Sequence, residues 1–204
     1  METFYVIGAI KFSAQREQRN QGLYTFFVKS IEVIKDQMTS LSPFFKKGNA
    51  LVTLYASSDI AVIDLESEEI VWLIRKGIIN LSQNHTLYLN NGHILTFDMH
   101  HKPEASKILE FEPITYDMAW DYGGTAGHPI YSPHYGTVQR LFNGNTLITE
   151  SAKGKALEVT PYKKIVWEFL SPHTSEDGKY IATLFEVIRV TKKDLAGWIP
   201  SLEK

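Results

Sequence analysis

The chain has 204 residues, enough for one domain or at most two at ~100–200 residues each. Its 21 Lys+Arg against 23 Asp+Glu leave a net charge of −2, without the basic excess of a dedicated nucleic-acid binder. With 44% hydrophobic and 22% charged residues it is an ordinary globular sequence, and the absence of cysteine excludes disulfides, thiolate metal sites and cysteine nucleophiles.

The N-terminal stretch has a short apolar run, Phe4 to Ile10, preceded by Glu2 and by no basic residue. A secretory leader needs positive charge and then a longer apolar core. No stretch reaches the ~18 apolar residues of a membrane span. The chain as it stands is therefore expected in the cytoplasm, or in the periplasm if an upstream segment is missing, with no membrane partner. Gln15 to Gln21 lacks apolar periodicity and reads as a loop or short helix. Tyr24 to Lys35 reads as an outer or preceding strand, so residues 1–46 form an N-terminal segment.

From residue 47 the chain repeats itself. Gly48 to Trp72 is one copy; Asn91 onward, resuming at Ser106 and ending at Trp120, is a second; Asn143 to Phe169 is a third. Each runs from a glycine through an apolar strand, a polar gap, a second strand ending in an acidic residue, a turn, and a third strand closing on tryptophan. Trp72, Trp120 and Trp167 are spaced 120 − 72 = 48 and 167 − 120 = 47 residues apart. Ile60 to Asp64, Ile70 to Trp72 and Ile165 to Phe169 are short β-branched or aromatic runs bounded by turn residues. Asn90-Asn91-Gly92 and Asn143-Gly144-Asn145 supply the positive φ that tight hairpins require.

A unit of roughly 47 residues with three or four antiparallel strands is a propeller blade. The expected class is all-β, a partial or few-bladed β-propeller over 47–200. Its blades lie at about 47–75, 84–122 and 136–170, with a partial fourth at 178–192. A β-sandwich is the alternative, but sandwiches do not repeat a tryptophan at equal spacing. One blade cannot bury both faces, so the tryptophans are expected between blades. The ring then has four blades, is open, or is completed by a second copy as a homo-oligomer.

These residues resemble the bacterial PAPS-independent arylsulfotransferase family, which is built on a β-propeller. The similarity is best from about Gly48 to Val187 and strongest from Gly136 to Ser151, followed by Ala156 to Thr160 and Ile165 to Glu168. The resemblance implies ping-pong sulfuryl transfer from an aryl sulfate to a phenol through a channel histidine, with a second histidine protonating the leaving phenolate. It implies those two small molecules as partners, and no cofactor. Where the family carries Gln-His ahead of a Leu-x-Asn-Gly turn, this chain has Gln83-Asn84-His85. Altered polar positions, with Tyr55 and Phe27 where Arg and His are expected, keep a second reading open. It is a non-catalytic propeller that binds a ligand or protein, or an inactive, truncated family member.

On this reading His85, His134 and His128 are the candidate catalytic residues, His85 first as nucleophile and His134 as acid/base. Lys102, Arg140 and Tyr131 are the candidate substrate-binding residues. Each has a structural alternative. His85 is otherwise an exposed loop histidine. Lys102, beside His100 and His101, otherwise belongs to a solvated polar loop. Arg140 otherwise pairs with an acidic neighbour such as Glu150. Glu110 and Glu158 recur at equivalent positions, which points to a structural hydrogen bond. His93 and His173 read as exposed. Gly123 to Gly127 reads as a flexible inter-blade loop. No third ligand accompanies His100 and His101 at fixed spacing, so no metal is expected.

Overall fold

The computed structural model describes residues 28–35, 42–54, 58–75 and 83–191. The expected loop or helix at Gln15 to Gln21, and Phe27 and Tyr55, lie outside them. Three four-stranded antiparallel sheets follow one another along the chain, each a simple meander. Blade one is β1 (Val28–Val33), β2 (Ala50–Leu54), β3 (Ile60–Asp64) and β4 (Glu69–Ile74). Blade two is β5 (Gln83–Tyr88), β6 (Ile94–Lys102), β7 (Ala105–Phe111) and β8 (Met118–Tyr122). A two-residue ribbon, β9 (Gly124–Thr125) with β10 (His128–Pro129), precedes blade three. Blade three is β11 (Thr137–Arg140), β12 (Thr146–Glu150), β13 (Lys155–Val159) and β14 (Ile165–Leu170).

The hairpins follow from their turn residues. Gly92 and Gly144 sit at φ +85° and +84° in the β5–β6 and β11–β12 turns, a conformation costly for any residue with a Cβ. Gly123 to Gly127 is not a loose loop. Gly124 at φ +90° lets the β9–β10 ribbon close, and a Cβ there would collide with the His128 carbonyl.

Period-two alternation gives each sheet two apolar faces, and the faces are buried blade against blade. Leu51, Ile60, Val62, Trp72 and Ile74 of blade one pack with Ile94, Leu109 and Phe111 of blade two. Leu95, Phe97 and Ile108 on the opposite face of blade two pack with Val138, Ile148 and Leu157 of blade three. Ala50, Val52, Leu54, Ala61 and Ile63, on the far face of blade one, are buried as well. The first strands of the blades converge, with β5 packed against both β1 and β11. Sheets stacked in this way, with their first strands toward a shared axis, form a β-propeller whose ring does not close among the described residues.

The repeated tryptophans fasten one blade to the next. Trp72 Nε1–H donates to the Pro113 carbonyl at 3.2 Å, and Trp120 Nε1–H donates to the Pro161 carbonyl at 2.8 Å. In both cases the acceptor lies 41 residues on, in the turn between the third and fourth strands of the following blade.

The strands expected after Gly178 do not form. The segment nevertheless takes the place of a first strand. The Arg189 N–H donates to Gln139 Oε1 of blade three at 2.8 Å, as the Tyr88 N–H of blade two donates to Glu32 Oε2 of blade one at 2.8 Å. Arg189 pairs with Glu158 and lies over Trp167 at 5.7 Å, as Arg140 pairs with Glu110 and lies over Trp120 at 5.7 Å. A first strand is defined by the ladder it makes with a second, and no described residue supplies that second strand.

Candidate functional site

The converging first strands leave a cleft of about 650 Å³ on the axis. Its walls repeat with the blades. Ser30 on β1, His85 on β5, Thr137 on β11 and Glu186 in the fourth segment line it from equivalent positions. The equivalence is visible in the hydrogen bonds. The Thr86 N–H donates to Ser30 Oγ at 3.3 Å, and the matching Val138 N–H donates to His85 Nδ1 at 3.2 Å. One position earlier stand Lys29, Asn84 and Phe185, with Gly136 at the corresponding place on blade three. His134 and Tyr135, in the loop entering β11, complete the lining.

The Val138 bond decides what His85 can do. Nδ1 accepts a hydrogen bond and so carries no proton; the neutral ring holds its proton on Nε2. Burial lowers the His85 pKa below the ordinary histidine value, with the Glu186 carboxylate pulling the other way. A ring held neutral, with one nitrogen committed to the backbone, is a hydrogen-bond donor through Nε2–H. It is not a free nucleophile, because attack through Nε2 would require the proton on Nδ1 and would orphan the Val138 N–H. Asn84 is likewise engaged, its Nδ2 donating to the Gly136 carbonyl at 2.8 Å.

Lys29 brings positive charge to the same wall. Burial lowers its pKa to about 8, and its Nζ approaches Met99 Sδ at 3.7 Å. Tyr135 and Phe185 meet as a tilted ring pair at 5.4 Å on the cleft wall. The cleft therefore offers a cation, an N–H donor, a second imidazole, a carboxylate and an aromatic surface.

Two of the six candidates read from the sequence, His85 and His134, line this cleft. His128 lies in the exposed β10 ribbon, and Lys102 is exposed at the β6–β7 hairpin. The Tyr131 N–H donates to Glu150 Oε1 at 2.7 Å. Arg140 pairs with Glu110 at 2.5 Å rather than with Glu150. Glu110 is a junction: burial alone would raise its pKa, but Asn91, Arg140 and His93 together hold it below the ordinary carboxylate value. His93 is thus engaged, its Nδ1 3.0 Å from Glu110 Oε1. His101 Nδ1 lies 3.3 Å from Asp98 Oδ2, and no group of three metal-ligating side chains occurs among the described residues.

Sequence reasoning missed Lys29, Phe185 and Glu186. The signal was present: Thr137-Val138-Gln139-Arg140 and Glu186-Val187-Ile188-Arg189 share Val and Arg at the same offsets. Aligning them puts Glu186 at the His85 position.

A profile of the arylsulfotransferase (ASST) family matches residues 10–172, most of the chain. The chain belongs to the arylsulfotransferase family. No curated protein matches it. Solved structures that align with this family member include a protein from Bacteroides caccae (19% identity, TM-score 0.44), covering 64% of this chain and 47% of that one. A virginiamycin B lyase from Staphylococcus aureus aligns at 15% identity and TM-score 0.43, over 76% and 44% of the two chains. BamB from Moraxella catarrhalis aligns at 14% identity and TM-score 0.43, over 64% and 37%. The chain spans about half or less of the length of each.

Proposed function

We infer that the axial cleft binds an aryl sulfate ester and passes its sulfuryl group to a phenol through His134. The observation that carries this is that His85, His134, Lys29 and Glu186 line one cleft, in a chain of the arylsulfotransferase family. Relative to the expectation from sequence, the nucleophile's role moves from His85 to His134, and His85 becomes a hydrogen-bond donor. His85, with Nδ1 tied to Val138, donates Nε2–H to a sulfuryl oxygen, and the Lys29 ammonium balances the negative charge.

His134 is the imidazole that forms the N–S bond as the S–O bond of the ester breaks. The electron pair of that bond leaves with the phenolate, which takes a proton from water. In the second half, the acceptor phenol gives its proton to Glu186 as its oxygen attacks sulfur, the N–S bond breaks to restore His134, and Glu186 returns the proton to the hydroxide left by the first half. Tyr135 and Phe185 give the aryl ring an apolar seat.

The test is turnover of a chromogenic aryl sulfate with a phenol acceptor. His134→Ala is expected to lower kcat by at least ~100-fold. His85→Ala is expected to raise KM and lower kcat/KM by about 10- to 100-fold while retaining residual turnover. Turnover indifferent to both changes would remove the reading, and no turnover by the unmodified chain would replace it with a non-catalytic binding propeller.

A further inference from the structure

We propose that the buried threonine pair Thr86 and Thr96 positions the His85 ring at the cleft, Thr96 acting through the His85 carbonyl. The effect on turnover rests on the sulfuryl-transfer reading; the effect on the ring does not. β5 carries one residue more than its partner strand. Gln83 pairs with Asp98 and Thr86 with Thr96, so Asn84 and His85 together stand opposite Phe97. Such a bulge interrupts the alternation of side chains and re-aims one of them. Asn84 and His85 accordingly both line the cleft, whereas β11, which pairs with β12 without a shift, lines it with Thr137 alone of its four residues. The bulge is held on both sides. Asn84 Nδ2 donates to the Gly136 carbonyl at 2.8 Å, and the Thr86 N–H donates to Ser30 Oγ at 3.3 Å.

Between these two anchors, the His85 carbonyl accepts from Thr96 Oγ1 at 3.1 Å. A hydroxyl has one proton, so in the 2.9 Å contact between the two hydroxyls Thr86 donates to Thr96. Thr86 and Thr96 are both buried. The facing residues at the same place are Ile31 and Val52 in blade one, and Val138 and Ile148 in blade three. The repeat is thus built with apolar residues here, and buried hydroxyls are costly unless something satisfies them. In blade two, the blade that carries His85, the His85 carbonyl does so. Fixing that carbonyl fixes the peptide from which the ring projects, and with it the 3.2 Å approach of the Val138 N–H to Nδ1. That bond in turn sets the tautomer and leaves Nε2–H to the cleft. Thr96 is therefore a positioning residue.

The test is Thr96→Val, with Thr96→Ser restoring the hydroxyl, read by nitrogen NMR of the His85 ring and by turnover of a chromogenic aryl sulfate. At about pH 8, where the ring is neutral, the unmodified chain and Thr96→Ser are expected to show a protonated Nε2 and a bare Nδ1. In Thr96→Val the two nitrogen signals are expected to move toward each other as the tautomers mix. In the same variant kcat/KM is expected to fall about 10-fold, and in Thr96→Ser to return to within about 2-fold. Added to His85→Ala, Thr96→Val is expected to change kcat/KM by less than about 2-fold, because the group it positions is gone. If Thr96→Val does not fold, Thr86→Val combined with Thr96→Val takes its place, since it copies the apolar pairs of the other blades. Ring signals unchanged by loss of the hydroxyl would overturn the proposal, as would an equal fall in kcat/KM with and without His85. In a chain that turns over no aryl sulfate the ring signals alone decide, so the proposal and the sulfuryl-transfer reading fail separately.

Discussion

Blades two and three are wired alike and covered differently. In blade two, Asn91, His93 and Arg140 converge on Glu110, and Arg140 lies over Trp120. In blade three, Asn143, Asn145 and Arg189 converge on Glu158, and Arg189 lies over Trp167. Yet blade two has a whole blade on each face, whereas on the outer face of blade three Leu147, Thr149 and Ala156 are buried and Trp167 is left 39% exposed. The polar junctions therefore belong to the repeat itself, whereas burial of the tryptophan belongs to the neighbour. Stability in such an array separates into what one unit carries and what the interface adds.

The largest expected effect sharpens that separation. Trp72→Ala removes a covered anchor and is expected to cost about 3–5 kcal/mol, while Trp167→Ala is expected to cost under about 1 kcal/mol. Urea denaturation of both reads the contrast, and equal losses would break it. Gly136→Ala comes next. Its Cβ would stand 2.5 Å from the ring of the fully buried Phe97, so a loss of about 1–3 kcal/mol is expected. Gly127→Ala, with nothing within 4 Å, is the comparison that should stay flat.

A smaller effect separates the two junctions. Glu110→Gln is expected to cost about 1–2 kcal/mol, and Glu158→Gln less, because Arg189 is 43% exposed against 26% for Arg140. The Glu110 pKa is lowered in the folded chain, so its contribution is present above the unfolded carboxylate value and fades as pH falls through the folded one. A chemical melt that loses the Glu110→Gln difference in acid fits this; a difference constant with pH does not.

The smallest effect concerns the cleft. With its pKa lowered to about 8, Lys29 loses its charge as pH rises past that value, earlier than an ordinary lysine. Affinity for an aryl sulfate, read by calorimetry, is expected to weaken several-fold through that range. Lys29→Gln should flatten the profile, and a profile unchanged by it would remove Lys29 from the site.

Much of this architecture was legible in the residues. The equal spacing of Trp72, Trp120 and Trp167 and the Asn-Gly turns identified blades, because each blade must repeat the same contacts to bury its faces. His85 and His134 were found because they precede or open strands that enter the axis. Lys102 and His128 were not brought to the cleft, because they sit at hairpin tips remote from the first strands. Lys29 and Glu186 were hidden for a different reason. Lys29 lies on a first strand and Glu186 in the segment that takes a first strand's place, both outside the Gly-to-Trp unit, where no turn or tryptophan marks the register. The fourth segment lacks strand pairing because a strand needs a neighbour that the local sequence cannot supply.

The central claim is that sulfuryl transfer passes through His134 while His85 holds the transferred group. Mass spectrometry of the chain quenched in alkali during turnover of an aryl sulfate tests it most directly. The account predicts one added SO3 group on the peptide carrying His134, absent from His134→Ala and present in His85→Ala. The modification on His85, or undiminished turnover by His134→Ala, would contradict it.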